Sequence, residues 1–141
     1  MTRRLYHPDR EQIALPAVLD ALSDPTRLAV ALHLAEVKES ACGDYTGWAS
    51  KTNLSYHLGK LREAGVTRSR IEGTYRLVSL RWDDLNARFP GLLKQILDTA
   101  KRDPLISDML ALLDHDVSKG PKKAATAKPT AKRKTAKKRA A

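Results

Sequence analysis

KTNLSYHLGKLREAGV, from Lys51 to Val66, sets Leu54, Leu58 and Leu61 at i, i+4 and i+7, which is one stripe of an α-helix. Its other face carries Lys51, Thr52, Asn53, Ser55, Tyr56, Lys60 and Arg62, with His57 at the border. Apart from Glu63 near the end, these groups donate hydrogen bonds, exchange them or carry positive charge. A helix apolar on one side and dense with short polar and basic groups on the other suits a DNA major groove. Standing alone, it would read as an ordinary solvated surface helix, so its neighbours decide.

Ser50 is placed to cap this helix, and Ala64-Gly65 closes it, because a glycine just past a helix takes the left-handed conformation. Upstream, Asp24-Pro25-Thr26-Arg27 is a start signal, with Asp24 as N-cap and proline in the first turn. The helix it opens, to about Val37, is apolar around much of its circumference at Leu28, Val30, Ala31, Leu32, Leu34 and Ala35, the mark of a central buried helix. Before it, Pro16 can start a shorter helix with an apolar side of Ala17, Val18, Leu19 and Leu22. Between Glu39 and Ser50 the pattern breaks at Gly43 and Gly47. A single helical turn over Tyr45 to Ala49 is expected there, anchored by Trp48.

Downstream, Val66 to Ile71 and Thr74 to Leu80 read as β-strands joined at Glu72-Gly73. A two-residue loop puts Arg68 and Arg70 on one face of this hairpin and Arg76 on the other; which of them faces a partner stays open. Asp83 and Asp84 suit a helix N-terminus, and Pro90-Gly91 divides that region into a short piece and a longer one. Phe89, Leu92, Leu93, Ile96, Leu97 and Ala100 form one amphipathic stripe, and Ile106, Met109, Leu110 and Leu113 form a second. Two such stripes exceed what a body of this size needs, so they are expected to pair two copies; the alternative is that they complete one copy's core.

Charge is unevenly placed. The net charge is +10, yet ten of the 26 basic residues and none of the 16 acidic ones lie from Lys119 onward. The body is therefore formally neutral, but Lys51 to Arg81 holds seven basic residues against only Glu63 and Glu72. The expected organisation is a folded unit over residues 1–118 and a disordered Lys/Ala-rich tail over 119–141, since nothing in the tail is large and apolar enough to offset the entropy of ordering. Such a tail neutralises phosphates and releases counterions. A lone cysteine, Cys42, excludes an internal disulfide framework. The longest uninterrupted apolar run, Leu28 to Leu32, is far short of the roughly 20 residues of a membrane span. A soluble, cytoplasmic protein with no membrane partner is expected.

Helix, capped buried helix, short turn, polar-faced helix and arginine-bearing hairpin make a winged helix-turn-helix, mainly α with a small β-hairpin. The stretch ALSDPTRLAVALHLAE, from Ala21 to Glu36, resembles the opening of the ArsR family of bacterial transcriptional repressors. LSYHLGKLREAGVTRSRIEGTYRLVSL, from Leu54 to Leu80, resembles that family's recognition helix and wing, and RWDDLNARFPGLL, from Arg81 to Leu93, a continuation common in one subgroup. The likeness spans roughly residues 13 to 100.

That resemblance implies a homodimer paired through its N- and C-terminal helices, setting two recognition helices into successive major grooves of double-stranded DNA. It places Thr52, Asn53, Ser55 and Tyr56 where base and phosphate contacts are made, with Lys51 at the helix start and Lys60 further along. His57 matches a family histidine, either a phosphate contact or a residue packed on the core. Arg68, Arg70 and Arg76 would sit on the wing, reaching DNA backbone or minor groove. The function implied is a sequence-specific transcriptional repressor released by an unknown signal. An alternative is a nucleoid-associated architectural protein, since a winged helix followed by a Lys/Ala/Pro tail also resembles linker histones. No enzyme is expected, because no Gly-rich phosphate loop and no nucleophile–base–acid arrangement is present.

The chain departs from the family's metal sensors. It has Cys42 alone, and His7, His33, His57 and His115 lack ligand spacing. Asp114-His115-Asp116 is a weak candidate for an intersubunit site and reads better as a solvated helix end. No metal sensing through the usual sites and no cofactor is expected. Cys42, in a loop beside the DNA-reading unit, is either a thiol sensor or a small packed residue.

Overall fold

The computed structural model describes residues 5–119, with side chains as far as Leu113. The basic tail beyond Lys119, and side chains of Asp114-His115-Asp116, lie outside the described residues. The described residues form six helices, α1 (Leu15–Leu22), α2 (Pro25–Val37), α3 (Lys51–Glu63), α4 (Trp82–Arg88), α5 (Leu92–Ala100) and α6 (Pro104–Lys119), and a small sheet of β1 (Glu39–Ala41), β2 (Thr67–Glu72) and β3 (Tyr75–Leu80). Among the described residues, no helix is long and apolar enough to cross a membrane.

α2 is the centre. Ala29, Val30, Ala31, Leu32 and Leu34 are all buried, and α1, α3, α5, α6 and β3 pack around it. Its start is as expected: the Asp24 carboxylate accepts from the Arg27 N–H at 3.1 Å, with Pro25 in the first turn. Ala35, expected in the core, is exposed, as are Ala17 and Leu19 on α1, whose buried side is Val18, Ala21 and Leu22.

The segment before α3 differs from expectation. Glu39–Ala41 pairs with β3, Ser40 opposite Val78, to give a three-stranded antiparallel sheet in the order β1-β3-β2 rather than a lone hairpin. The helical turn lies over Cys42–Tyr45 as a 3-10 turn and not over Tyr45 to Ala49. Its anchor is Tyr45, wholly buried, with its hydroxyl 2.8 Å from His33 Nδ1. Trp48 is only half-buried and donates from Nε1 to the Met109 carbonyl at 2.8 Å. A three-residue strand is too short for an alternating pattern to reveal, and its pairing partner is over thirty residues away.

The hairpin loop is Gly73-Thr74, one residue later than expected, with Glu72 opposite Tyr75. Gly73 has φ +61, and a glycine opening a two-residue loop is what a type II′ turn requires. The one-residue shift at each end keeps the sides unchanged. Arg68 and Arg70 share one face, and Arg76, opposite Ile71, lies on the face of the buried Val78 and Ser69.

The two apolar stripes also fall differently. Leu93, Leu97, Ala100, Ile106 and Leu113 are buried within the single chain, and Ile96, Met109 and Leu110 pack half-buried against them. Half of the named stripe residues thus join one copy's core where α5 and α6 lie on α2, while Phe89, Leu92, Ile96, Met109 and Leu110 stay partly exposed. The large apolar residues left exposed are others, among them Leu15 and Leu19 on α1 and Leu105 and Leu112 on α6.

Residues 5–13 have a structural role that their composition does not signal. A 3-10 turn at Arg10–Gln12 leads to Ile13, which is 1% exposed. A Cβ on Gly65, whose φ is +87, would come within 2.5 Å of Ile13 Cγ1. Gly65 is thus needed twice, for its backbone conformation and for this close approach.

Candidate nucleic-acid interface

α3 is built as its sequence dictates. Ser50 Oγ accepts from the Asn53 N–H at 3.2 Å at the start. At the end, Val66 N–H bonds the Leu61 carbonyl and Gly65 N–H that of Arg62, both at 3.0 Å, the double bond set of a Schellman motif. Leu54, Leu58 and Leu61 are buried. Lys51, Thr52, Asn53, Ser55 and Tyr56 all stand exposed on the outer face, Tyr56 at 59%. Lys60 comes only to 3.9 Å from Asp20, an exposed pair of little energetic weight.

His57 belongs to a joint between α2 and α3. Its Nδ1 accepts from Arg27 Nη1 at 3.1 Å and lies 3.7 Å from the Asp24 carboxylate. Arg27 is itself buried and donates from Nε to the Ala21 carbonyl at 2.7 Å and from Nη2 to that of Asp20 at 3.3 Å. The Asp-Pro-Thr-Arg sequence therefore caps one helix and clamps the next.

The three wing arginines separate. Arg70 grips Glu39 across the sheet with Nε at 3.0 Å and Nη2 at 3.1 Å, and reaches Glu72 at 3.2 Å. Arg68 points to Asp84 at 3.4 Å. Asp84 also accepts from Arg10 and from the buried Arg81, each at 2.8 Å. The Arg10 bond, helped by Arg81, holds the Asp84 carboxyl below its ordinary 3.8 despite burial. Arg76 instead borders α3, lining a cleft with Lys51, Leu54 and Ser55 and another with Ser55, Tyr56 and Gly59. Of the seven basic residues from Lys51 to Arg81, Lys51 and Arg76 have neither an ion pair nor a side-chain hydrogen bond among the described residues. The structure thus gathers Lys51, Thr52, Asn53, Ser55, Tyr56 and Arg76 on one side, and leaves Arg68 and Arg70 on the back of the sheet.

The N-terminal arm also reaches this region. Arg62 Nε donates to the Tyr6 carbonyl at 3.1 Å, and Leu5 lines the cleft beside Tyr56. His7 Nδ1 lies 3.0 Å from the Leu5 carbonyl and so carries the proton, while Nε2 accepts from Ser69 N–H at 3.0 Å. Burial, with Arg68, Arg62 and Arg81 nearby, lowers the His7 pKa from 6.5, against the opposing pull of the Leu5 bond. Without an apolar period, the arm left no signal in the sequence.

Cys42 is half-buried, and burial pushes its thiol up from its ordinary value against the nearby positive charge of Arg76. A raised thiol pKa means less thiolate and slower oxidation at neutral pH. Among the described residues, no group of three His, Cys, Asp or Glu side chains is arranged to hold a metal ion.

A capped polar-faced helix, preceded by a tight turn and flanked by a hairpin on a three-stranded sheet, defines a winged helix-turn-helix protein. No protein-family model matches the chain. It is similar to the uncharacterised HTH-type transcriptional regulator YceK of Bacillus subtilis (strain 168), 39% identical over 82 residues that cover 56% of this chain and 82% of YceK. The chain belongs to the HTH-type transcriptional regulators.

Proposed function

We propose that this protein is a homodimeric, sequence-specific DNA-binding repressor of the ArsR type, released from its operator by a signal. The observation that carries the reading is the outer face of α3. It presents Lys51, Thr52, Asn53, Ser55 and Tyr56 to solvent while its leucines are buried, and alongside lies Arg76, which has no ion pair among the described residues. Asn53, Ser55 and Tyr56 would read base edges, each good bidentate contact contributing about 1–3 kcal/mol of discrimination. Lys51 and Arg76 would neutralise phosphate beside the first half of the helix.

Arg68 and Arg70 would contribute to DNA only after exchanging Asp84 and Glu39 for phosphate, so smaller losses are expected from their substitution than from that of Arg76. His57 acts as a positioning residue through Arg27. Pairing of two copies would use the exposed Leu15, Leu19, Leu105 and Leu112.

The test is the ratio of affinities for the protein's own promoter region and for random DNA of equal length at one salt concentration. A repressor should prefer its operator by about 10³-fold or more, on the order of specific regulators in general. Asn53→Ala and Ser55→Ala should lower the operator affinity and leave the random-DNA affinity unchanged. A ratio near one would favour the architectural alternative. Deleting residues 120–141 should weaken both affinities alike and flatten the salt dependence by about 0.9 per lost phosphate contact.

A further inference from the structure

The cleft between the 3-10 turn, the first half of α3 and the hairpin loop is about 500 Å³, within the range of small-molecule sites, about 300–1,000 Å³. Its walls combine two characters. Ala41, Cys42 and Tyr75 supply apolar surface, and Lys51 and Arg76 supply two positive charges. No carboxylate lines it, and neither cation has a carboxylate partner among the described residues. An apolar pocket with two uncompensated charges of one sign favours a ligand with an apolar body and a negative head.

We propose that this cleft binds a small organic anion, an aromatic or branched aliphatic carboxylate, with its body against Ala41, Cys42 and Tyr75 and its charge between Lys51 and Arg76. Occupancy would take up the two cations that the proposed DNA contact also needs, so the anion and DNA would exclude each other. Release from DNA would then come from direct competition and would need no metal. That consequence rests on the DNA-binding reading; the binding of the anion does not.

Cys42 lines the same cleft and is the chain's lone cysteine, so its alkylation reports on this place alone. The experiment follows the rate of N-ethylmaleimide addition to the full-length protein, without DNA, in the presence of 1-naphthoate, its neutral amide or inorganic phosphate. At ten times its dissociation constant, naphthoate should slow the reaction roughly tenfold. The amide and phosphate at the same concentration should leave the rate nearly unchanged. Lys51→Gln and Arg76→Gln should each weaken the protection by naphthoate.

Equal protection by amide and carboxylate would overturn the proposal, since charge would then play no part. So would protection by phosphate alone, which would make the cleft a seat for DNA backbone. A second measurement adds operator DNA: displacement by naphthoate supports the competition. If naphthoate protects Cys42 but no DNA binds at all, the site stands and the repressor reading fails.

Discussion

Asp84 shows how one carboxylate can organise several cations. It takes Arg10 and Arg81 at 2.8 Å and Arg68 at 3.4 Å, and Arg81 is buried with a second bond to the Pro8 carbonyl at 2.7 Å. Asp84→Asn would leave the Arg81 charge buried and poorly compensated, and should cost about 2–3 kcal/mol in denaturant unfolding at pH 7. A carboxyl held below its ordinary 3.8 contributes stability above that value and loses it as pH falls through the folded pKa. The gap between wild type and variant should therefore close below pH 3.8. His7 works in the opposite chemical sense but over a higher window. Its folded pKa lies below 6.5, so the unfolded chain binds the extra proton first, and the contribution is full above pH 6.5 and lost as pH falls below it. Comparing unfolding midpoints at about pH 7.5 and 5.5, on either side of the ordinary histidine value, His7→Gln should show a smaller drop than wild type. The full role of either residue was not legible from its neighbours in sequence, because Arg10 for Asp84 and Ser69 for His7 are partners that only the folded chain brings near.

At the scale of elements, helices were readable where the chain supplies its own punctuation. Asp24-Pro25, Ser50 and Gly65 each mark a boundary through local hydrogen bonding or backbone conformation, and each boundary falls where those residues put it. Ser50→Ala should remove the bond to Asn53 N–H and cost about 1 kcal/mol of stability. The same change should speed amide exchange across Lys51 to Leu54, while an exchange pattern equal to wild type would deny the cap its role. Elements whose cause is distant were not readable. β1 exists because β3 offers it an edge, and the 3-10 turn exists because Tyr45 finds a pocket against His33 and Trp48. The stripes of α5 and α6 were visible, but periodicity says only that a face is covered. It does not say whether the cover is the same chain or another.

For the whole molecule, the decisive question is what covers the remaining leucines. Leu105 and Leu112 lie seven residues apart on α6, and Leu15 and Leu19 four apart on α1, so each pair occupies one helix face. If two copies join there, Leu112→Glu should shift sedimentation from dimer to monomer with the thermal midpoint of the monomeric fold little changed. A wild-type monomer at micromolar concentration would remove this interface from the account. The proposed candidate site was mostly visible in sequence, because α3 carries its residues in one continuous run. What the sequence left open was whether the face of Arg76 or that of Arg68 and Arg70 lies beside α3. That depends on how the sheet meets α3 and where Glu39 and Asp84 come to lie.

β3 is hydrogen-bonded on both sides, to β2 of the wing and to β1, which emerges directly from the end of α2. With Arg27 and His57 tying α2 to α3, the hairpin and α3 are both fastened to α2. In a dimer, two heads so built would act like the two jaws of a fixed gauge, measuring distance along DNA in whole turns. Adding five base pairs between the half-sites, about half of a 10–10.5 base-pair turn, should abolish binding, and adding ten should largely restore it.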